Sequence, residues 1–154
     1  MDQAIHVALE DPAGADALAL VVELSAVLEA LTGSTGQASF DPDDVRLARA
    51  GFALARDAQG RAVGCGALRP MADGGAELKR MFARPGTRGV GVALLQFLER
   101  QAADWGYAAL RLSTRRVNER AVAFYLRHGY RPIAGYGRYA DSDVSLCLEK
   151  RIAA

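Results

Sequence analysis

The chain has 154 residues, 51% of them apolar and 24% charged, the balance of one soluble domain with a single core. Its 19 Lys and Arg against 18 Asp and Glu leave a net charge of +1, which argues against nucleic acid or an anionic membrane surface as partner. No basic segment leads into an apolar run at the start, the apolar-rich stretch 15–31 carries Asp16, Glu23 and Glu29, and Cys65 and Cys147 make no disulfide framework. These features predict a cytoplasmic enzyme or binding domain with reduced thiols.

Residues 3–9 alternate Ile5, Val7 and Leu9 with polar partners and predict a short strand. A long helix follows over about 13–31, with Leu20, Leu24, Val27 and Leu31 on one stripe. The stretch TGSTGQAS at 32–39 reads as a loop, and Asp41-Pro42-Asp43-Asp44 reads as a cap, a first-turn proline and acids at a helix start. Strands are expected at 51–57, 61–69 and 76–83, joined by glycine-bearing turns at 58–60 and 73–75. A second helix spans about 89–105 with Leu94, Leu98, Ala102 and Trp105 inward and ends at Gly106. A strand at 108–113, a helix over 118–128, a short strand at 130–133 and a last strand through Val144, Leu146 and Leu148 complete the chain. Hairpins combined with one strand-helix-strand unit give a mixed sheet, and no internal boundary divides residues 1–154.

Residues 88–95 read RGVGVALL, so two glycines stand where a single Ser or Asp would cap a helix. The first N–H groups of a helix have no internal partner and point outward at the positive end of its dipole. Glycines there let a phosphate approach the backbone, and Arg88 adds a fixed charge and a planar donor fork. A tight strand-to-helix connection would account for the same glycines with no ligand. A P-loop would need Lys and Ser or Thr where Val92 and Ala93 stand. A dinucleotide fingerprint would need a small residue at Leu94 and an acid near Ser113, Thr114 and Arg115.

The stretch 77–95, ELKRMFARPGTRGVGVALL, resembles motif A of the GNAT superfamily of N-acetyltransferases. The match includes the preceding strand, Pro85, and the run Arg88 to Ala93. NERAVAFYLRHGYRPI, from Asn118, resembles motif B through Asn118, Ala121, Phe124, Tyr125, Gly129 and Tyr130. The resemblance covers roughly residues 51–150. It implies an α/β (α+β) fold: a twisted, mixed, mostly antiparallel sheet of about six or seven strands flanked by helices, with splayed central strands. It implies acetyl-CoA as cosubstrate, with no metal, and an amine-bearing acceptor, metabolite or peptide. Homodimers are common in the family. By this resemblance the backbone of Arg88, Gly89, Val90, Gly91, Val92 and Ala93 holds the CoA pyrophosphate. Met81, Phe82 and Ala83 offer a strand edge to the pantetheine arm.

An ammonium with a pKa of about 10.4 must lose a proton before it attacks a thioester, and the departing thiolate benefits from gaining one. In the family, a tyrosine at the position of Tyr125 often protonates that thiolate. A phenol with a pKa of about 10 is protonated at neutral pH and can do this; an aromatic packing residue at the helix end, beside a core Phe124, is the alternative reading. Glu77, expected on one strand face with Lys79 and Met81, is a candidate base or a partner of Lys79 or Arg80; ordered water is the alternative base. Asn118 is a helix cap or a contact to the pantetheine arm. Arg120 and Arg127 could reach the CoA 3′-phosphate or be solvated. Cys65 and Cys147 read as core thiols, and no Cys, His and Asp spacing suits a metal. Tyr136, Tyr139 and Asp141 would either receive a cationic amine or form a lid. A non-catalytic acyl-CoA sensor is the alternative to an enzyme.

Overall fold

Seven strands alternate with three helices in a computed structural model that describes residues 4–36 and 41–152. The strands are β1 (His6–Glu10), β2 (Gly51–Arg56), β3 (Ala62–Pro70), β4 (Ala76–Ala83), β5 (Ala109–Arg115), β6 (Arg131–Ile133) and β7 (Ser145–Arg151). The helices are α1 (Ala15–Thr32), α2 (Val90–Asp104) and α3 (Glu119–Arg127). The sheet order is β1-β2-β3-β4-β5-β7-β6, and β4–β5 is its only parallel pair among the described residues. The mixed, mostly antiparallel sheet flanked by helices matches expectation. Gln3, and residues 37–39 of the expected loop, lie outside the described residues.

Both faces of the sheet are covered, so the central strands are buried on both sides. Ala53, Ala55, Val63, Leu68 and Leu110 meet Leu94, Leu98 and Ala102 of α2 on one face. Phe52, Leu54, Cys65 and Ala67 meet Ala17, Leu20 and Leu24 of α1 on the other. The strand period of two sorts neighbouring residues into these two cores. The inward stripe of α1 differs from expectation. Ala17, Leu20, Leu24 and Ser25 are buried, with Leu28 packed at the edge, whereas Val27 and Leu31 are 39% and 44% exposed. The helix is rotated toward Leu28, so its last turns carry these two residues off the sheet. Asp41 caps as expected, its Oδ1 accepting from the Asp43 N–H at 2.9 Å, but Pro42–Arg46 forms only a short 3-10 turn.

The central strands part after a single register. β4 and β5 pair only at Ala76↔Leu110 and Glu77↔Arg111. Along its other edge β4 stays with β3, where Lys79↔Ala67 is followed by Phe82↔Cys65, so Arg80 and Met81 together oppose Gly66. This bulge puts Arg80 at a φ of 55°, unusual for a residue with a Cβ. Gly66 permits it, because a Cβ there would collide with the Met81 sulfur. The bulge also switches faces: Leu78 and Met81 face the α2 core, while Phe82 turns into the α1 core. Met81 therefore does not share a face with Glu77 and Lys79, contrary to the strict alternation expected. A bulge bends its strand and sharpens its twist, and beyond Glu77 the unpaired edge of β4 swings clear of β5.

Candidate active site

The parted strands open a cleft of about 340 Å³. Leu78, Lys79, Arg80 and Met81 of β4 form one wall, and residues 112–115 of β5 the other. Leu24 and Leu28 of α1, the α3 cap Asn118, Ala121 and Tyr125 of α3, and Arg138 and Tyr139 complete it. Of the residues expected at the site, Met81, Asn118 and Tyr125 line this cleft. Phe82 is buried, Ala83 lies at the exposed end of β4, and residues 88–93 and Glu77 stand outside the lining.

The glycine-bearing loop flanks the cleft. Gly89 stands before α2 in the left-handed conformation, φ 73°, and no side chain caps the helix. The N–H groups of residues 88–92 donate to no other group among the described residues, while the Ala93 N–H closes the first turn onto the Gly89 carbonyl at 3.0 Å. The open donors therefore end one residue before Ala93. A Cβ at Gly91 would meet the Phe124 ring at 3.4 Å, so the mouth of α2 leans on α3. Phe124 contacts Tyr125 edge-on, ring centroids 5.2 Å apart, and this pair links the loop to the cleft. Phe124, expected in the core, is only half-buried, and Tyr125 is the more deeply buried of the two. The helical period turns Tyr125 inward toward Tyr130, centroids 5.5 Å apart.

Burial pushes the Tyr125 hydroxyl well above the ordinary phenol range. It makes no hydrogen bond to the protein among the described residues, so a proton donor faces the cleft uncommitted. Asn118 caps α3, its Oδ1 accepting from the Ala121 N–H at 3.3 Å, and the residue lines the cleft.

Glu77 is 1% exposed and sits where β4 and β5 are still paired. One oxygen accepts from Arg69 Nε at 2.8 Å, the other from the Tyr136 hydroxyl at 2.7 Å, with Lys79 Nζ at 3.4 Å. Lys79 in turn donates to the Tyr139 hydroxyl at 2.9 Å. Burial first, and then the Glu77 charge, push the Tyr136 hydroxyl far up. Tyr136 and Tyr139 meet edge-on at 5.7 Å, so the segment before β7 is fastened to β4 through both hydroxyls. Only Tyr139 of that pair lines the cleft, and Asp141 is exposed away from it.

Arg80, at the bulge, donates to the Thr35 carbonyl at 2.9 Å and the Ser25 hydroxyl at 3.4 Å, tying the far end of α1 to the cleft. Alternation alone gave no sign of this role. Arg120 and Arg127 are exposed on α3. Cys65 and Cys147 are buried thiols, and burial pushes Cys65 up to about 12, where it is no nucleophile. No helix among the described residues is long and apolar enough to cross a membrane.

The model of the acetyltransferase (GNAT) family matches residues 22–130. A protein of Azospirillum brasilense named IAA acetyltransferase is 32% identical over 149 residues, covering 95% of this chain and 97% of that one. The structure of a candidate acyl-CoA N-acyltransferase from Klebsiella pneumoniae superposes with a TM-score of 0.81 at 28% identity, covering 97% and 98% of the two chains. A GNAT acetyltransferase of Elizabethkingia anophelis, solved with acetyl-CoA bound, shares the fold at a TM-score of 0.69 and 15% identity, over 96% and 97%. The chain belongs to the GNAT family of acetyltransferases, which makes it an acyltransferase that draws its acyl group from coenzyme A.

Proposed function

We propose that the protein is an N-acetyltransferase that moves acetyl from acetyl-CoA to the amine of a small molecule by direct attack within a ternary complex. The observation that carries this reading is the unpaired edge of β4 beside the open amides at the mouth of α2. In this reading the N–H groups from Arg88 to Val92, extended by the Arg88 side chain, hold the pyrophosphate. Ala93 contributes through its position in the first turn. The backbone of Met81, Phe82 and Ala83 pairs with the pantetheine arm where β5 has left β4, and the Asn118 amide supports that arm.

The amine nitrogen attacks the thioester carbonyl carbon, forming a C–N bond, and collapse of the tetrahedral adduct breaks the C–S bond. Tyr125 donates its proton to the departing thiolate and regains one from solvent. Because Tyr125 stays protonated far above neutral pH, it serves as an acid and never as the base. The base assignment weighs Glu77 against water. Both Glu77 oxygens are occupied and the group stands behind Lys79, so the amine proton passes to water in the cleft and Glu77 acts as a positioning group. A cleft of this size, at the lower end of the range of about 300–1,000 Å³ for small-molecule sites, suits a metabolite better than a peptide.

Thiol release measured with acetyl-CoA over an amine panel tests the reading. Turnover that is lost in Tyr125→Phe while acetyl-CoA affinity holds is expected. Tight CoA binding with no turnover on any amine would instead establish a sensor.

A further inference from the structure

The chain is nearly neutral overall, yet its cleft is not. The lining holds four cationic side chains, Lys79, Arg80, Arg115 and Arg138, and no carboxylate among the described residues. Behind the wall, Lys79 lies beside Glu77, Glu77 pairs with Arg69, and Arg69 pairs with Asp44, an alternating chain of four charges that sums to zero. With that chain neutral, no carboxylate in the lining, among the described residues, offsets the charge of Arg115. Arg115 is half-buried at the end of β5, opposite Ser145 of β7, and its side chain makes no ion pair or hydrogen bond among the described residues. Arg138 stands in the 3-10 turn Gly137–Tyr139, on the segment that closes the same side. Arg80 reaches the cleft from the bulge while it holds α1. Leu24 and Leu28 of α1 supply apolar surface in the same lining, together with Tyr139.

A cationic amine entering such a cleft is repelled unless it carries its own negative charge. Within a narrow, low-dielectric cleft, fixed guanidinium groups discriminate by sign and by planar fit to an oxyanion. We propose that the acceptor is a small amine that also bears a carboxylate or comparable oxyanion on an apolar body, and that Arg115 and Arg138 read that anion. The proposal rests on the acetyl-transfer reading above and deepens it. It predicts poor use of polyamines and lysine-rich peptides, and it gives the arginines a second consequence: their field favours the neutral amine over the ammonium, the form that attacks.

Pairs of amino acids and their own carboxamides, with aliphatic and aromatic bodies, provide the test, with rates referred to the concentration of free-base amine. The carboxylate member is expected to have a kcat/KM at least about tenfold higher, a ratio that shrinks as ionic strength rises from about 0.05 to about 0.5 M. Arg115→Gln and Arg138→Gln should each cut that ratio at least about threefold while the Kd of acetyl-CoA holds. Carboxamides used as well as carboxylates, or spermidine used better than either, would overturn the proposal. Calorimetric binding of the same pairs, to the free and to the CoA-saturated protein, separates the two claims. CoA binding without preference for the carboxylate overturns the anion assignment and leaves acetyl transfer standing. Preference for the carboxylate without CoA binding overturns acetyl transfer and supports the anion assignment.

Discussion

The two halves of β4 differ by one bulge and behave as different materials. At its start, Ala76 and Glu77 have strands on both sides, and the Glu77 carboxylate is held by Arg69, Lys79 and Tyr136. From Leu78 onward the strand keeps only β3, and one row of backbone groups faces a cleft. The closed half fixes the angle at which the open half diverges. Stability and ligand binding are thereby assigned to neighbouring residues of one strand, and substitutions should separate them.

The largest effect is expected on the closed half. Glu77→Ala strands the buried Lys79, leaves Arg69 with Asp44 alone, and should cost about 3–5 kcal/mol in urea unfolding. An unchanged midpoint would show that the charge chain does not hold the strands together. On the open half, Tyr125→Phe should lower kcat on the order of 100-fold with little change in unfolding midpoint, because no protein group bonds that hydroxyl. A matching loss of stability would make Tyr125 a packing residue. Gly89→Asp places a carboxylate on the open amides at a left-handed position and should weaken acetyl-CoA binding by roughly tenfold to 100-fold. Gly89→Ala, which keeps the backbone strain but adds no charge, should show much less of that loss in the same titration. Asn118→Ala removes the cap of α3 and should cost about 1 kcal/mol, readable by thermal unfolding.

The smallest effect is pH-dependent and concerns both halves. Tyr125 and Tyr136 have folded-state pKa values raised by burial, the latter also by Glu77. A raised value means that the native state keeps a proton the unfolded chain releases. Their contribution is complete below the ordinary tyrosine value of about 10 and declines as pH climbs above it. Unfolding midpoints should therefore fall from about pH 10 upward, and Tyr136→Phe should flatten that fall. A flat profile across that window would mean that these hydroxyls are hydrated.

Much of this was legible along the chain. Glycines mark both hairpin turns in the sequence, and Gly89 and Gly91 mark the start of α2. Two motifs in order carried the family. The inward set of α2 was readable because Leu94, Leu98 and Ala102 repeat with the period of a helix. The stripe of α1 was misread at Val27 and Leu31. Its outer face is also apolar, with Leu18 and Val22 exposed, so periodicity could not locate the side that meets the sheet. Phe124 was read as the core residue for the same reason, since adjacent aromatics look alike until a partner such as Tyr130 draws Tyr125 deeper.

The linear sequence by itself determined the order and kind of the elements, the glycine-bearing helix start and the family, because these depend on neighbours within about one turn or one hairpin. Only the tertiary structure decided where β4 leaves β5. Arg80 is an ordinary strand residue until Gly66, on another strand, makes room for a bulge. It also decided that Glu77 is buried behind Lys79, and that arginines from β4, β5 and the segment before β7 converge on one cleft. Charge at a site is a sum over residues far apart in the chain, and their separation is fixed only when the strands that carry them pack.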